Sequence, residues 1–223
     1  MLEKLEQSIG YNFKDKGLLK KALTHKSYAN EVNIESNEKF EFLGDSILEF
    51  ISSKYLYDNL PNLKEGEMTK VRAEVVCEKS LYKIALRHNF SDFLYVGRSE
   101  RYNGGNKRPA ILADSVEAVI AAIYFDAGLD MAEKFIIENL REEIKLSSKN
   151  VGMKDFKTVL QEKVQVNKEN KIEYKLLRED GPDHNKTFTV CVEINGKRIA
   201  EGTGHTKKKA EMEAAKKTLE ILK

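Results

Sequence analysis

The spacing of apolar residues changes once along this 223-residue chain, close to residue 147. Before that point, up to about Leu146, apolar residues recur at helical intervals with little β-branched alternation, which predicts an all-α region. Beyond it, residues 172–176 and 188–194 alternate between apolar and polar, the period of half-buried strands. A chain of this length can bury two cores, so we predict two domains of different class.

The predicted first domain spans residues 1–146 and consists of helices joined by polar loops. Its helices are expected at about Lys16–Thr24, Glu38–Asn59, Gly66–Leu86, Ala110–Asp126 and Met131–Lys145, with loops at Asn30–Asn37 and Asn103–Pro109. The following stretch is polar and lacks periodicity, so residues 147–153 are predicted to form a linker.

The predicted second domain, residues 154–223, has the order α-β-β-β-α. A helix at about Asp155–Gln165 precedes the alternating segments, and the pair Asn195-Gly196 predicts a tight hairpin before a strand at Lys197–Glu201. A last helix is expected at about Thr206–Leu222. The fold class is therefore multidomain, an all-α domain followed by an α+β domain.

Charge and cysteine content limit the setting in which the protein works. The segment 151–223 holds 16 basic and 12 acidic residues, a net +4, whereas the preceding part has a net −2. Cys77 and Cys191 lie far apart in apolar surroundings, which predicts two buried thiols rather than a disulfide or a metal site. No apolar run reaches 18 residues and no signal peptide is recognisable, so we expect a cytoplasmic protein without a membrane span.

Two strongly apolar helices carry carboxylates. Glu38, Glu41 and Asp45 have the spacing i, i+3, i+7 and so share one face of the first helix. Asp114 and Glu117 are one turn apart on the second, which is apolar nearly all round. Removing an ionised carboxylate from water costs on the order of several kcal/mol of folding free energy. Buried carboxylates therefore need a neighbouring cation, or they become protonated.

Two interpretations of these carboxylates remain open at this point. In the first, they pair with nearby basic side chains, Lys39, Arg72, Lys107 or Arg108, or they cap helix starts. In the second, they form an all-oxygen cluster without His or Cys, which suits octahedral Mg²⁺ rather than Zn²⁺. A pair of such ions about 3.5–4 Å apart can activate water for phosphodiester cleavage.

Long ordered motifs resemble one family. The segment NEKFEFLGDSIL resembles the ribonuclease III signature, ILADSVEAVIAAIY resembles the second catalytic segment of that family, and LTHKSYANE is also similar. The resemblance covers essentially the whole chain. It implies that Glu41, Asp45, Asp114 and Glu117 are the catalytic, metal-binding carboxylates, with Asp45 and Glu117 at the positions most closely tied to cleavage. The implied cofactor is Mg²⁺, for which Mn²⁺ can substitute.

The same resemblance implies RNA contacts and a dimer. Glu38 and Glu65 match acidic family positions near the RNA, although a solvated acid at a helix start is an equal alternative for Glu65. The family acts as a homodimer with one cleavage centre in each protomer. Phe42 matches an interlocking aromatic of the dimer interface, with ordinary core packing as the alternative.

The last helix begins with three lysines after Thr206, a plausible N-cap. Cations there oppose the helix dipole, whereas a phosphate would be favoured, so either a solvated basic end or an anion site is possible.

The α-β-β-β-α order with the loop GPDH and the run TGHTKKKAEMEAA resembles the double-stranded-RNA-binding domain. The implied contacts are minor grooves and phosphates of about 16 base pairs, made by Gln161, Glu162, His184, Lys207 and Lys208. Glu211 departs from the commoner motif, which puts a third phosphate contact in doubt, and His184 rests on the resemblance alone.

Together these features predict an Mg²⁺-dependent endonuclease that hydrolyses double-stranded RNA with metal-activated water. By resemblance the products are 5′-phosphate and 3′-hydroxyl ends, in the processing and decay of rRNA and mRNA. One rival is a binding-only member of the family, which would lack catalytic carboxylates. Another is a phosphohydrolase of small molecules, which leaves the second domain unexplained.

Overall fold

The computed structural model describes residues 2–151, 156–164, 170–182 and 186–222. The chain divides into two compact units, Met1–Gly152 and Met153–Lys223. In the first unit the helices are α1 Leu2–Ile9, α2 Lys16–Ala22, α3 Lys26–Val32, α4 Glu38–Asn59, α5 Glu65–Val75, α6 Glu78–Arg87, α7 Arg98–Tyr102, α8 Pro109–Ala127 and α9 Leu129–Val151. In the second, α10 Phe156–Val164 precedes β1 Ile172–Asp180, β2 Thr187–Ile194, β3 Lys197–Gly204 and α11 Lys207–Ile221.

Helix α8 forms the centre of the first unit. Its residues from Ile111 to Ile123 are almost all buried, and it packs against α2, α4, α6 and α9. Pro109 stands at the first turn, where its missing N–H costs nothing, and Gly128 follows the last turn with φ of +83°. The apolar sequence therefore gives a helix that is enclosed by others, as its lack of a polar face predicts.

The second unit packs two helices on an antiparallel sheet with the order β1-β2-β3. Its core contains Leu160, Val192, Ala214 and Ala215. Between β2 and β3, Asn195 and Gly196 both have positive φ, 52° and 80°, which confirms the tight turn predicted there. The Asn195 side chain also closes the neighbouring loop: its Oδ1 accepts from the backbone N–H of residue 171 at 2.9 Å, and its Nδ2 donates to the Oδ1 of residue 170 at 2.8 Å.

Several predicted boundaries were wrong. The expected single helix Gly66–Leu86 is interrupted between α5 and α6, where Cys77 is extended (φ −71°, ψ 158°) and Ser80 donates its hydroxyl to the Glu74 carbonyl. The break lets both helices turn apolar side chains into the core. The expected loop 30–37 begins later, because α3 continues to Val32. Helices α1, α3 and α7 were not expected at all.

The predicted linker and one predicted thiol also need correction. Residues 147–151 belong to α9 rather than to a linker. Ser147 is buried, and its hydroxyl donates to the Glu74 carboxylate at 2.6 Å, which stabilises this last part of the helix. Cys191 is buried as expected, whereas Cys77 is only half-buried, and both cysteines are free.

Candidate metal centre and nucleic-acid interface

Helices α4 and α8 bring carboxylates together because their backbones nearly touch. A Cβ atom at Gly44 would lie 1.8 Å from the backbone oxygen of Glu117, so no residue with a side chain fits there without moving the helices apart. Oxygens of Glu41, Asp114 and Glu117 all lie within 4.8 Å of one another. The close approach at Gly44 therefore builds a three-carboxylate cluster from two apolar helices.

The carboxylates of the cluster are partly buried and repel one another, and both effects raise their pKa values. Burial, followed by the charges of Asp45, Asp114 and Glu41, raises the pKa of Glu117 to about 8. Burial and then the charge of Asp114 raise the pKa of Glu41. Burial and then the charge of Glu78 raise the pKa of Asp114. The protein alone does not balance these charges, which favours a bound cation.

Asp45 stands at the edge of this group. It lies one helical turn after Glu41 on α4 and is exposed, and it does not join the three oxygens of the cluster. Its negative charge nevertheless raises the pKa of Glu117 more than any other charged neighbour does. Asp45 is therefore close enough to the cluster to act on it electrostatically.

Two of the basic partners proposed from sequence, Arg72 and Arg108, pair with carboxylates outside the cluster. Arg72 lies 3.9 Å from Glu49, and Arg108 lies 2.8 Å from Glu100. The cation that acts on the cluster is instead Lys26, which lowers the pKa of both Glu41 and Asp114. Sequence reasoning missed this role, although Lys26 belongs to the motif LTHKSYANE.

Lys26 is held near the site by the start of α3. The ring of His25 caps this helix by accepting from the backbone N–H of Ser27, and burial lowers the His25 pKa. Lys26 Nζ lies 3.4 Å from Glu38 Oε1, and both side chains are more than half exposed. Glu38 therefore lies outside the cluster, paired with a lysine at its rim.

The remaining sequence candidates in the first unit are exposed. Glu65 is the first residue of α5 and accepts from the Thr69 hydroxyl at 3.0 Å, the geometry expected of an acid at a helix start. The Phe42 side chain is 77% exposed, which excludes ordinary core packing within the protomer. Phe50 and Tyr57 on the same helix are 55% and 75% exposed.

In the second unit, the Thr206 side chain caps α11 by accepting from the backbone N–H of Lys209. Lys207 and Lys208 are exposed in the first turn, and Gln161 and Glu162 are exposed on α10. His184 lies outside the described residues. Glu211, where a phosphate contact was doubtful, pairs with Lys157, whose Nζ lies 2.5 Å away.

Comparisons with known proteins agree with both units. Residues 15–144 match the family model described as Ribonuclease-III-like, and residues 156–222 match the double-stranded RNA binding motif. Ribonuclease 3 of Carboxydothermus hydrogenoformans is 47% identical over 98% of this chain and 94% of that protein. Ribonuclease 3 of Caldanaerobacter subterraneus subsp. tengcongensis is 46% identical over 100% of this chain and 98% of that protein.

The first unit also has a solved relative. The nuclease domain of ribonuclease III from Campylobacter jejuni, which has structural flexibility in a region involved in dimer formation, is 42% identical with a TM-score of 0.61. That similarity covers 64% of this chain and 98% of the other.

An all-α unit with a carboxylate cluster, followed by a double-stranded-RNA-binding motif, defines a class of two-domain endonucleases that act on duplex RNA. This chain belongs to the ribonuclease III family, as the motifs predicted, and the predicted fold class is confirmed. Within the described ranges, no helix is both long and apolar enough to cross a bilayer.

Proposed function

We propose that this endonuclease hydrolyses duplex RNA with Mg²⁺ at the Glu41, Asp45, Asp114 and Glu117 carboxylates, leaving 5′-phosphate and 3′-hydroxyl ends. The observation that carries the proposal is the convergence of three carboxylates within 4.8 Å on two helices in backbone contact. Processing and decay of rRNA and mRNA are the setting that family membership suggests.

The residues present suit a hard divalent cation. The donors are carboxylate oxygens alone, which favours Mg²⁺, or Mn²⁺ in its place, over metals that prefer nitrogen or sulfur. Burial, followed by repulsion from the neighbouring carboxylates, raises the pKa of Glu117, and a bound cation would offset both effects. When bound, such an ion supplies Lewis acidity towards the attacking water and the phosphoryl oxygens.

The residues of the chain have separate parts in this reaction. Glu41 on α4 and Glu117 on α8 would hold the cation between them, across the contact of these two helices. Glu38 and Lys26 form an exposed pair at the rim, where the RNA backbone would arrive. In the second unit, Lys207 and Lys208 would contact phosphates while Gln161, Glu162 and His184 reach minor grooves.

A homodimer is part of the proposal. Phe42, Phe50 and Tyr57 are exposed aromatic residues spaced eight and seven residues apart, so they lie along one side of α4. Large exposed apolar side chains in a row mark an interaction surface, and a symmetric partner covers it with the same residues. Each protomer would then supply one cleavage centre, and the two would cut both strands.

The experiment is cleavage of a labelled long RNA duplex by the purified full chain. We expect cutting with Mg²⁺ and with Mn²⁺, none with EDTA, and products that a 5′-phosphate-dependent exonuclease degrades. Cleavage in EDTA would refute the metal assignment. Binding without cleavage under all these conditions would indicate the binding-only alternative.

A further inference from the structure

Lys207, the first residue of α11, is held by an ion pair within the second unit. Its Nζ lies 3.0 Å from Oε1 of Glu179 in β1 and 5.7 Å from the ring centre of Phe188 in β2. Glu179 and Phe188 are paired across these two strands, so the sheet fixes both neighbours of the lysine. A lysine with a proposed phosphate contact thus already has a carboxylate partner.

This pair is open to solvent. The side chains of Lys207 and Glu179 are 59% and 37% exposed. An ion pair with this exposure contributes little to folding stability, because water and salt screen it. Its consequence lies in binding instead: a phosphate oxygen that approaches Lys207 competes with Glu179 for the same ammonium group, and the carboxylate repels the phosphate.

We propose that Glu179 limits the affinity of the second unit for RNA by holding Lys207 until a phosphate takes its place. The inference rests on the proposed function, because it requires Lys207 to contact a phosphate. In the complex the nearby carboxylate offsets part of the positive charge that Lys207 brings to the RNA. Removing the carboxylate should strengthen binding and increase the number of cations released from the RNA.

The test uses the full chain in EDTA, so that the duplex is not cut, and a labelled RNA duplex of about 20 base pairs, longer than the roughly 16 that one such domain spans. We expect Glu179→Gln to bind about threefold more tightly at low salt, in line with the strength of exposed pairs. The slope of log K against log salt should become steeper by up to about one unit.

The neighbouring residue provides a matched control. Asp180 follows Glu179 on the same strand, and its ion pair is with Arg178, 3.3 Å away. Asp180→Asn removes the same charge from the adjacent position of β1, whose side chain points to the other face of the sheet, and its affinity should change much less. Equal tightening by both variants would show a general charge effect and would overturn the inference.

Lys207→Met separates this inference from the proposed function. It should weaken binding, and Glu179→Gln should give no tightening when added to it. If Lys207→Met leaves affinity and salt slope unchanged, the proposed phosphate contact itself is wrong. If Lys207→Met weakens binding but Glu179→Gln alone leaves it unchanged or weaker, the contact stands and the limiting role of Glu179 is wrong.

Discussion

The Glu117 carboxylate is partly buried among other carboxylates, which lowers the stability of the metal-free chain when Glu117 is ionised. It is a carboxylic acid on the most apolar helix of the protein, close to Glu41, Asp45 and Asp114. A pKa of about 8 means that much of Glu117 is protonated at neutral pH while no cation is bound. The metal-free chain bears the cost of this burial and repulsion, which a bound cation would offset.

The raised pKa predicts how metal-free stability depends on pH. Because the folded pKa of about 8 exceeds the ordinary value of 4.5, the folded chain binds more protons than the unfolded chain between these values. The contribution of protonated Glu117 to the free energy of unfolding is thus fully present below about pH 4.5 and is lost as the pH rises through 8. Melting in EDTA should show that wild type loses stability relative to Glu117→Gln over this window. A constant difference would contradict the shift.

Glu117→Gln also tests catalysis. The amide keeps the shape but removes the charge, so we expect cleavage in Mg²⁺ to fall by about 100-fold or more, since charge at a metal site contributes several kcal/mol. Duplex binding by the second unit should stay near normal. Glu49→Gln is the control, because Glu49 is a glutamate of α4, the other helix of the site, and lies 3.9 Å from Arg72. Cleavage by Glu117→Gln near the wild-type rate would falsify the assignment.

At the scale of elements, the contact between α4 and α8 decides whether the cluster exists. Gly44→Ala would place a Cβ 1.8 Å from a backbone oxygen, so the helices must separate. We expect a loss of about 2–5 kcal/mol, comparable with other severe packing errors, and a lower affinity for Mg²⁺. Gly66→Ala in α5 is the control, because nothing lies within 4 Å of its Cβ position. This change should be neutral or should stabilise by up to about 1 kcal/mol.

The exposed side of α4 predicts the oligomeric state. Phe42→Glu should shift the protein towards monomer in light scattering, since a charge would have to be buried in the proposed interface. Tyr102→Glu is the comparison: Tyr102 is 92% exposed but lies on α7, and its change should leave the mass unaltered. An unchanged mass for both variants would place the interface elsewhere.

Sequence patterns predicted the two helices of the site well and their surroundings less well. Glu38–Asn59 was predicted with its observed ends, and α8 within one residue at each end, because long apolar runs leave few alternatives. The sequence did not predict the break at Cys77, since helical periodicity continues on both sides of it. It did not predict that residues 147–151 are helical either, because Ser147 is polar and its partner Glu74 is 73 positions away. The roles of Gly44 and Lys26 likewise depend on through-space neighbours that no local pattern contains.

At the scale of the whole molecule, the chain forms two compact units, and the proposed function assigns the chemistry to the first and most of the affinity to the second. A chain truncated after Gly152 keeps all of α9 and the carboxylates, but loses the lysines of α11. We expect weaker duplex binding and residual cleavage that disappears as salt rises, because fewer phosphate contacts remain. Gel assays of the fragment at two salt concentrations provide the measurement. Undiminished cleavage at high salt would show that the second unit adds no affinity.

The turn at Asn195 and Gly196 bears on the chemical ageing of the protein. An asparagine followed by glycine loses its side-chain amide readily, because the next backbone nitrogen can attack the unhindered side-chain carbonyl. Here the Oδ1 and Nδ2 of Asn195 are both engaged by the neighbouring loop, at residues 171 and 170. The attack requires that these two hydrogen bonds open first. Asn195 should therefore deamidate slowly in the folded protein and quickly in the unfolded chain, so that the extent of deamidation at this position measures how often the second unit has opened.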